Sequence, residues 1–355
     1  MAQVQEGRPD PERPRDGAAP AQAPGSLADR FLAFVERHRK LLHRLGVTVS
    51  LCLVAGAATI FARTLMRLDI GKFEHAIAAT GRDQIALAFS FAALSYLALT
   101  GYDAVALRHL GLKVPYWLTA SASFASYAVS FTLGFPLITG GAIRYWLYTP
   151  AGLSAGQIAS LTVVAGVTFW LGLGLIVGVG FLTSSVAISE INHFDPLANK
   201  LIGAAILCGL LAYFAWVGAM KRRGAAVMGE FRLPGPLVTF EQMALGVIDI
   251  CSAAATLYVL LPKGTGVGFP TFATLYSFAS MLGIASHSPG GLGVFEATIL
   301  QGVGGDFDSL LASLLLFRGV YYFAPFIAAA ALLGGLEAAK RWRAVREAMS
   351  AAAGD

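Results

Sequence analysis

Residues 116–150 read YWLTASASFASYAVSFTLGFPLITGGAIRYWLYTP. A membrane-spanning helix needs about 20 apolar residues. This run is too long for one plain span, and Gly134-Phe135-Pro136 and Gly140-Gly141 interrupt it. Proline has no amide hydrogen to give to a helix and glycine leaves a helix easily. A second run, 268–304, repeats the pattern around His287-Ser288-Pro289-Gly290-Gly291. Non-helical backbone at membrane depth is tolerated only where protein or water covers it. The reading of these two runs therefore decides the fold.

Six plainer apolar segments surround them, at about 45–66, 85–107, 157–183, 197–219, 236–261 and 309–335. Of the 355 residues, 56% are hydrophobic and 13% charged, with a mean hydropathy of +0.65. That leaves too few charges to coat a soluble core, and it excludes a coiled coil and a disordered chain. The runs are continuous rather than alternating, which excludes an outer-membrane barrel. An all-α polytopic membrane protein remains. The net charge of +5 follows from Lys and Arg in loops and tails, as the positive-inside rule requires, and calls for no nucleic acid. Cys52, Cys208 and Cys251 lie in apolar runs without metal-ligand spacing.

Loop charge orients the segments. Residues 1–26 form a Pro-, Ala- and Gly-rich tail with the composition of disorder. Residues 27–44, with Arg30, Arg37, Arg39, Lys40 and Arg44, form a basic amphipathic cytoplasmic segment. No cleavable signal precedes them. The 219–235 loop carries Lys221, Arg222, Arg223 and Arg232, and the basic tail 336–355 carries Lys340, Arg341, Arg343 and Arg346. All of these belong inside. The 184–196 loop has Glu190 and Asp195 without Lys or Arg and belongs outside. An odd number of crossings is then needed on each side of it. The interrupted runs must enter and return on one face, as re-entrant hairpins from opposite sides. The transmembrane domain 45–335 thus divides into inverted repeats, 45–183 and 197–335, each with three spanning helices and one re-entrant hairpin. Tyr127-x5-Leu133-Gly134 recurs as Tyr276-x5-Leu282-Gly283, and Gly140-Gly141 as Gly290-Gly291, at an offset of about 150.

A charge at the bilayer centre costs roughly 2.5–3.5 kcal/mol on insertion scales, so the charges inside these segments are the candidate functional residues. Arg144 follows the first Gly-Gly pair and Glu296 the second. If the hairpins meet on a pseudo-two-fold axis, these two come together as a polar site or as a structural ion pair. Asp249 sits mid-span and serves either a proton or cation or a neighbouring helix. Asp103, nearer a span end, reads as solvated or capping. Arg318 with Tyr321 and Tyr322 can hold phosphate oxygens bidentately; otherwise Arg318 satisfies carbonyls freed by a kink at Pro325. His287 either titrates or bonds backbone. The breaks at Gly134, Gly140, Gly141, Pro289, Gly290 and Gly291 either expose helix N-termini suited to phosphate or simply let two broken helices pack closely. P-loop, G-x-S-x-G, H-E-x-x-H and dinucleotide motifs are missing; no cofactor or metal is expected.

Three stretches carry a resemblance. Leu133-Gly134 with Thr139-Gly-Gly-Ala-Ile-Arg144-Tyr145 and Thr168-Phe-Trp-Leu-Gly172 form the first. Ser286-His-Ser-Pro-Gly-Gly-Leu-Gly-Val-Phe-Glu296 forms the second, and Arg318-x2-Tyr321-Tyr322-x2-Pro325 the third. They resemble the transmembrane flippase domain of the lysylphosphatidylglycerol synthase/flippase family, the multiple peptide resistance factors, over about residues 40–340. Trp146 stands where that family carries a second basic residue. The resemblance implies a lipid translocase in a bacterial inner membrane with Arg144, Glu296 and Arg318 at the substrate; the reading of the segments adds Tyr145, Tyr321, Tyr322, Asp249 and Asp103 to the candidate binding residues, and loop charge puts both termini in the cytoplasm. The family's soluble synthase part has no counterpart in these residues, so no lysyltransferase activity is expected.

The sequence reading is thus a protein that moves an anionic or aminoacylated phospholipid between leaflets. Phosphate meets Arg144 or Arg318, and a cationic headgroup meets Glu296, Asp249 or Asp103. Its partners are the membrane, the phospholipid substrate and, left open, a separate aminoacyltransferase or a second copy of the chain. Two rivals are a membrane scaffold that docks a separate synthase and an ion-coupled transporter of small solutes.

Overall fold

A computed structural model of the protein describes residues 80–355 except 135, 223–226, 229–230, 233, 287–288 and 353–355. The expected tail 1–26, the basic segment 27–44, the first span 45–66 and His287 lie outside the described residues.

The remaining apolar segments form helices close to the sequence bounds: α1 (Arg82–Leu110), α2 (Tyr116–Leu133), α3 (Pro136–Tyr148), α4 (Ala155–Thr183), α5 (Ser185–Asn192) and α6 (Pro196–Arg222). After the loop come α7 (Pro236–Tyr258), α8 (Phe269–Ala285), α9 (Val294–Val303), α10 (Phe307–Phe317) and α11 (Ala324–Ala352). A π-helical turn, Arg318–Phe323, joins α10 to α11. Five of the described helical runs are long and apolar enough to cross a membrane: α1, α4, α6, α7 and 307–347. Two short 3-10 turns, Thr149–Ala151 and Pro289–Gly291, and a two-residue antiparallel pairing of β1 (Val227–Met228) with β2 (Phe231–Arg232) in the basic loop complete the described secondary structure.

Local chemistry sets the ends. Ser154 caps α4 by accepting the Gln157 amide at 3.2 Å, and the Gln157 side chain accepts the Ser154 amide at 2.9 Å, a capping box. Gly111, at φ 72°, ends α1 in the left-handed conformation, and the Leu112 amide reaches back to the Leu107 carbonyl at 2.9 Å. The eighth segment runs past its expected end near 335. Its extension, Leu336-Glu-Ala-Ala-Lys-Arg-Trp342, is built from strong helix formers, and Arg341 pairs with Glu337 one turn back at 2.9 Å.

Both long runs break into two helices that pack against each other, α2 with α3 and α8 with α9. The first break follows Leu133 at Gly134, not at Gly140-Gly141. Pro136 opens α3, where its missing amide hydrogen is not needed. Gly140 and Gly141 lie inside α3. Gly140 is there for room: a Cβ would stand 3.0 Å from Ser130 Oγ and 3.2 Å from Arg144 Nη1. In the second run Gly290 and Gly291 are in the break itself, both with positive φ.

Close helix crossings hold the core. α1 packs along α7, and α7 against α4. Gly246 and Gly172 bring α7 and α4 into backbone contact; a Cβ on Gly246 would lie 2.6 Å from the Thr168 carbonyl oxygen. In lipid, small residues permit this approach where apolar burial supplies little drive. Beside it, Gln242 Nε2 on α7 donates to Thr168 Oγ1 at 2.9 Å and to the Val164 carbonyl at 3.1 Å.

Candidate functional site

Two ion pairs flank the breaks. Arg144 on α3 grips Asp103 on α1, with Nε to Oδ2 at 2.9 Å and Nη2 to Oδ1 at 2.7 Å. The Tyr148 hydroxyl also donates to Asp103 Oδ2, at 3.1 Å, and the Tyr127 ring lies 4.9 Å from the guanidinium. Both charged residues are buried, Asp103 at 0% and Arg144 at 2% exposure. The expectation of a solvated or capping Asp103 is therefore corrected: a carboxylate this deep needs a charged partner, and Arg144 is that partner.

The second pair joins Arg318 to Glu296. Arg318 Nε donates to Glu296 Oε1 at 2.8 Å, Nη2 donates to the same oxygen, and Nη1 donates to the Gly290 carbonyl at 2.8 Å. Glu296 Oε2 meanwhile accepts the Gly293 amide at 2.7 Å, so one carboxylate caps α9 and anchors the π-helical turn. The Tyr322 ring lies 4.3 Å from the Arg318 guanidinium. Arg144 and Glu296 are thus not partners, which corrects the expected meeting across the hairpins. Each guanidinium instead finds a carboxylate on another helix of its own half of the chain.

The breaks themselves do meet. A Cβ on Gly290 would stand 3.1 Å from the Phe131 carbonyl oxygen at the end of α2. Gly134 from the first break and Gly290 and Gly291 from the second line one cavity of about 360 Å³. Asp249, Tyr321 and Tyr322 line it as well. Arg144 and Arg318 are not among its described lining residues, and Tyr145, at 41% exposure, lies on the outer surface of the bundle.

Asp249, on α7, is 2% exposed. Its Oδ1 accepts from Ser95 Oγ at 2.5 Å and its Oδ2 from the Tyr102 hydroxyl at 2.8 Å, both on α1. Ser95 Oγ also lies 2.7 Å from the Tyr321 hydroxyl. Among the described residues, no Lys, Arg or His forms an ion pair with Asp249. Pro325 cannot donate to the Tyr321 carbonyl; Tyr96 does so instead, at 3.2 Å. A freed carbonyl is therefore satisfied, but by a tyrosine and not by Arg318. The kink expected at Pro325 takes the form of the π-helical turn, a distortion that often marks functional positions.

Ser95, Tyr96 and Tyr102 escaped the sequence reading. Their signal was present: Ser95 and Tyr102, like Tyr96 and Asp103, stand seven residues apart in an apolar span, which puts all four on one face of α1. Among the described residues no group of three His, Cys, Asp or Glu side chains is placed to hold a metal ion.

Apolar helices of spanning length, two of the apolar runs broken around a shared cavity, define a polytopic α-helical membrane protein. The chain belongs to the family of the uncharacterized protein slr0712 of Synechocystis, to which it is 33% identical over 270 residues, 75% of this chain and 83% of that protein. It is also 29% identical over 260 residues to the inner membrane protein YbhN of Escherichia coli, covering 72% of this chain and 81% of that protein. More distant are phosphatidylglycerol lysyltransferases. The Staphylococcus haemolyticus protein is 24% identical over 65% of this chain and 27% of its own length. The Staphylococcus aureus strain COL protein is 23% identical over 83% of this chain and 34% of its own length. No family model matches the chain.

Proposed function

We propose that this protein is a bacterial inner-membrane lipid translocase without transferase activity of its own, and that the cavity between the two breaks takes the lipid headgroup. The observation that carries this is Asp249, a buried carboxylate with hydroxyl donors and no cation, lining the cavity where Gly134, Gly290 and Gly291 meet. A headgroup crossing hydrocarbon pays the desolvation of its charges; a polar pocket at depth lowers that barrier while acyl chains stay in lipid. The similarity to part of the phosphatidylglycerol lysyltransferases supports a lipid cargo.

The ion pairs refine the cargo. Both forks of Arg318 are occupied, and Arg144 spends two donors on Asp103. An amine-bearing headgroup at Asp249 is therefore a better fit than a bare anionic one, which favours an aminoacylated phospholipid. We carry the inverted repeat and the re-entrant hairpins as part of this proposal. The packing of α1 along α7, the second spans of the two halves, supports them.

The test is a leaflet-exposure assay in phosphatidylcholine proteoliposomes, with fluorescent lysyl-phosphatidylglycerol and fluorescent phosphatidylglycerol as probes. Faster transfer of the lysyl lipid than in empty vesicles is expected, with loss of that gain in Asp249→Asn. Rates equal to empty vesicles for both lipids would move the assignment to a small-solute transporter or a scaffold.

A further inference from the structure

We infer that Asp249 is an exchange site, holding either a proton or the ammonium of a cationic headgroup in turn, so that a pH difference across the membrane drives headgroup transfer. The inference deepens the preceding reading and rests on it for the identity of the cargo.

The argument begins with charge balance. Arg144 and Asp103 neutralise each other, as do Arg318 and Glu296. Asp249 is left with two hydroxyl donors, which satisfy its oxygens but carry no charge. An ionised carboxylate in that position is costly unless something positive joins it. Two neutralisers fit a carboxylate that lines a cavity: a proton or a cation.

No neighbouring group competes for the role. Among the described residues, the titratable side chains around Asp249 are Tyr96 and Tyr102 on α1, Tyr127 on α2, Tyr276 on α8 and Tyr321 and Tyr322 on the π-helical turn, with Cys251 on its own helix. Helix α4, also packed on α7, contains no titratable residue. Among the described residues these surroundings are hydroxyls and one thiol, and no positively charged side chain pairs with Asp249.

The hydrogen-bond chain gives the two states different faces. With Asp249 ionised, Tyr321 donates to Ser95, and Ser95 donates to Oδ1; the tyrosine oxygen offers lone pairs to the cavity. With a proton on Oδ1, the carboxyl donates to Ser95 and Ser95 donates to Tyr321, whose own hydrogen is released toward the cavity. Either direction suits the 2.7 Å Ser95–Tyr321 contact. The ionised state therefore presents a carboxylate and a tyrosine acceptor to an ammonium, and the protonated state withdraws both.

In one cycle, hydronium on the acidic side gives a proton to Oδ1 and the ammonium headgroup leaves to that side. On the other side the proton passes to water and a new ammonium takes its place. One positive charge accompanies the carboxylate in both directions, so the site is neutral whenever it crosses. At balance the lysyl lipid accumulates on the acidic side by about tenfold per pH unit, the proton ratio itself.

Infrared spectroscopy of the reconstituted protein tests the exchange directly. A protonated-carboxyl band is expected to grow as pH falls, to need more acid when the vesicles contain lysyl-phosphatidylglycerol, and to ignore phosphatidylglycerol. It should be missing in Asp249→Asn. If that variant does not fold, Asp249→Glu, which keeps the carboxyl but moves the band, identifies it. A band that the lysyl lipid leaves unmoved, or that persists unchanged in these variants, overturns the inference. The leaflet assay under an imposed pH gradient is the second arm. Transfer that ignores the gradient also overturns it. A moving band without any lipid transfer sinks the translocation reading and leaves the exchange site standing.

Discussion

Arg144 and Asp103 form a closed clasp, Nε to Oδ2 at 2.9 Å and Nη2 to Oδ1 at 2.7 Å, between the second half of a broken helix and the span before it. Arg318 and Glu296 repeat the device at the other break. In each case a guanidinium fork locks a short helix, too short to cross the bilayer alone, onto the bundle.

Removing one partner of the first clasp leaves a buried charge. Arg144→Ala or Asp103→Ala is expected to cost about 3–5 kcal/mol, read as a lower unfolding temperature in detergent. Arg144→Met with Asp103→Leu together should be less destabilised than either single alanine variant. Additive losses would show that the two side chains do not depend on each other.

Arg318 uses its fork and not only its charge, since Nε, Nη1 and Nη2 all donate. Arg318→Lys keeps the charge and loses the fork. A loss of about 1.5–3 kcal/mol is expected, the range for hydrogen bonds to charged groups. A lysine variant as stable as wild type would make the clasp purely electrostatic.

Gly246→Ala should push α7 away from α4, because a Cβ there would lie 2.6 Å from the Thr168 carbonyl oxygen. A cost of about 1–3 kcal/mol is expected for this overpacking. Gly141→Ala, where a Cβ meets nothing within 4 Å, is the control and should be neutral or slightly stabilising. Equal effects at the two sites would remove the crossing argument.

Asp306 caps α10 from outside the span, accepting the Ser309 amide at 2.9 Å and the Ser309 hydroxyl at 2.6 Å. The Ser309 side-chain bond, then its backbone bond, holds the Asp306 carboxyl below the usual aspartate range. A lowered folded value means that the cap's contribution is complete above the ordinary aspartate value. It fades as pH falls through the lowered one. Wild type should therefore lose its advantage over Asp306→Ala on acidification. A constant difference across that window would refute the ionic cap.

Orientation is testable by labelling in a variant without Cys52, Cys208 and Cys251. Cysteines at Glu190 and Thr265 should react from outside, and those at Lys221 and Arg343 only after permeabilisation. Reaction at Lys221 from outside would remove the inverted repeat.

Much of the fold was legible in the sequence, because apolar length and the chemistry of Gly and Pro act locally. Pro136 and Pro289-Gly290-Gly291 mark the breaks wherever the chain goes, and the seven described apolar segments form helices, all but the last close to their sequence bounds. Asp249 was legible as a buried carboxylate for the same reason. Only the tertiary structure decided which arginine meets which carboxylate, because that depends on where helices cross. Hydropathy does not encode crossing points when lipid is as apolar as the core. It likewise decided that Gly140 makes room for Arg144 instead of breaking a helix, and that Ser95 and Tyr102 belong to Asp249. Those roles exist only once α1, α3 and α7 lie within hydrogen-bond reach of one another.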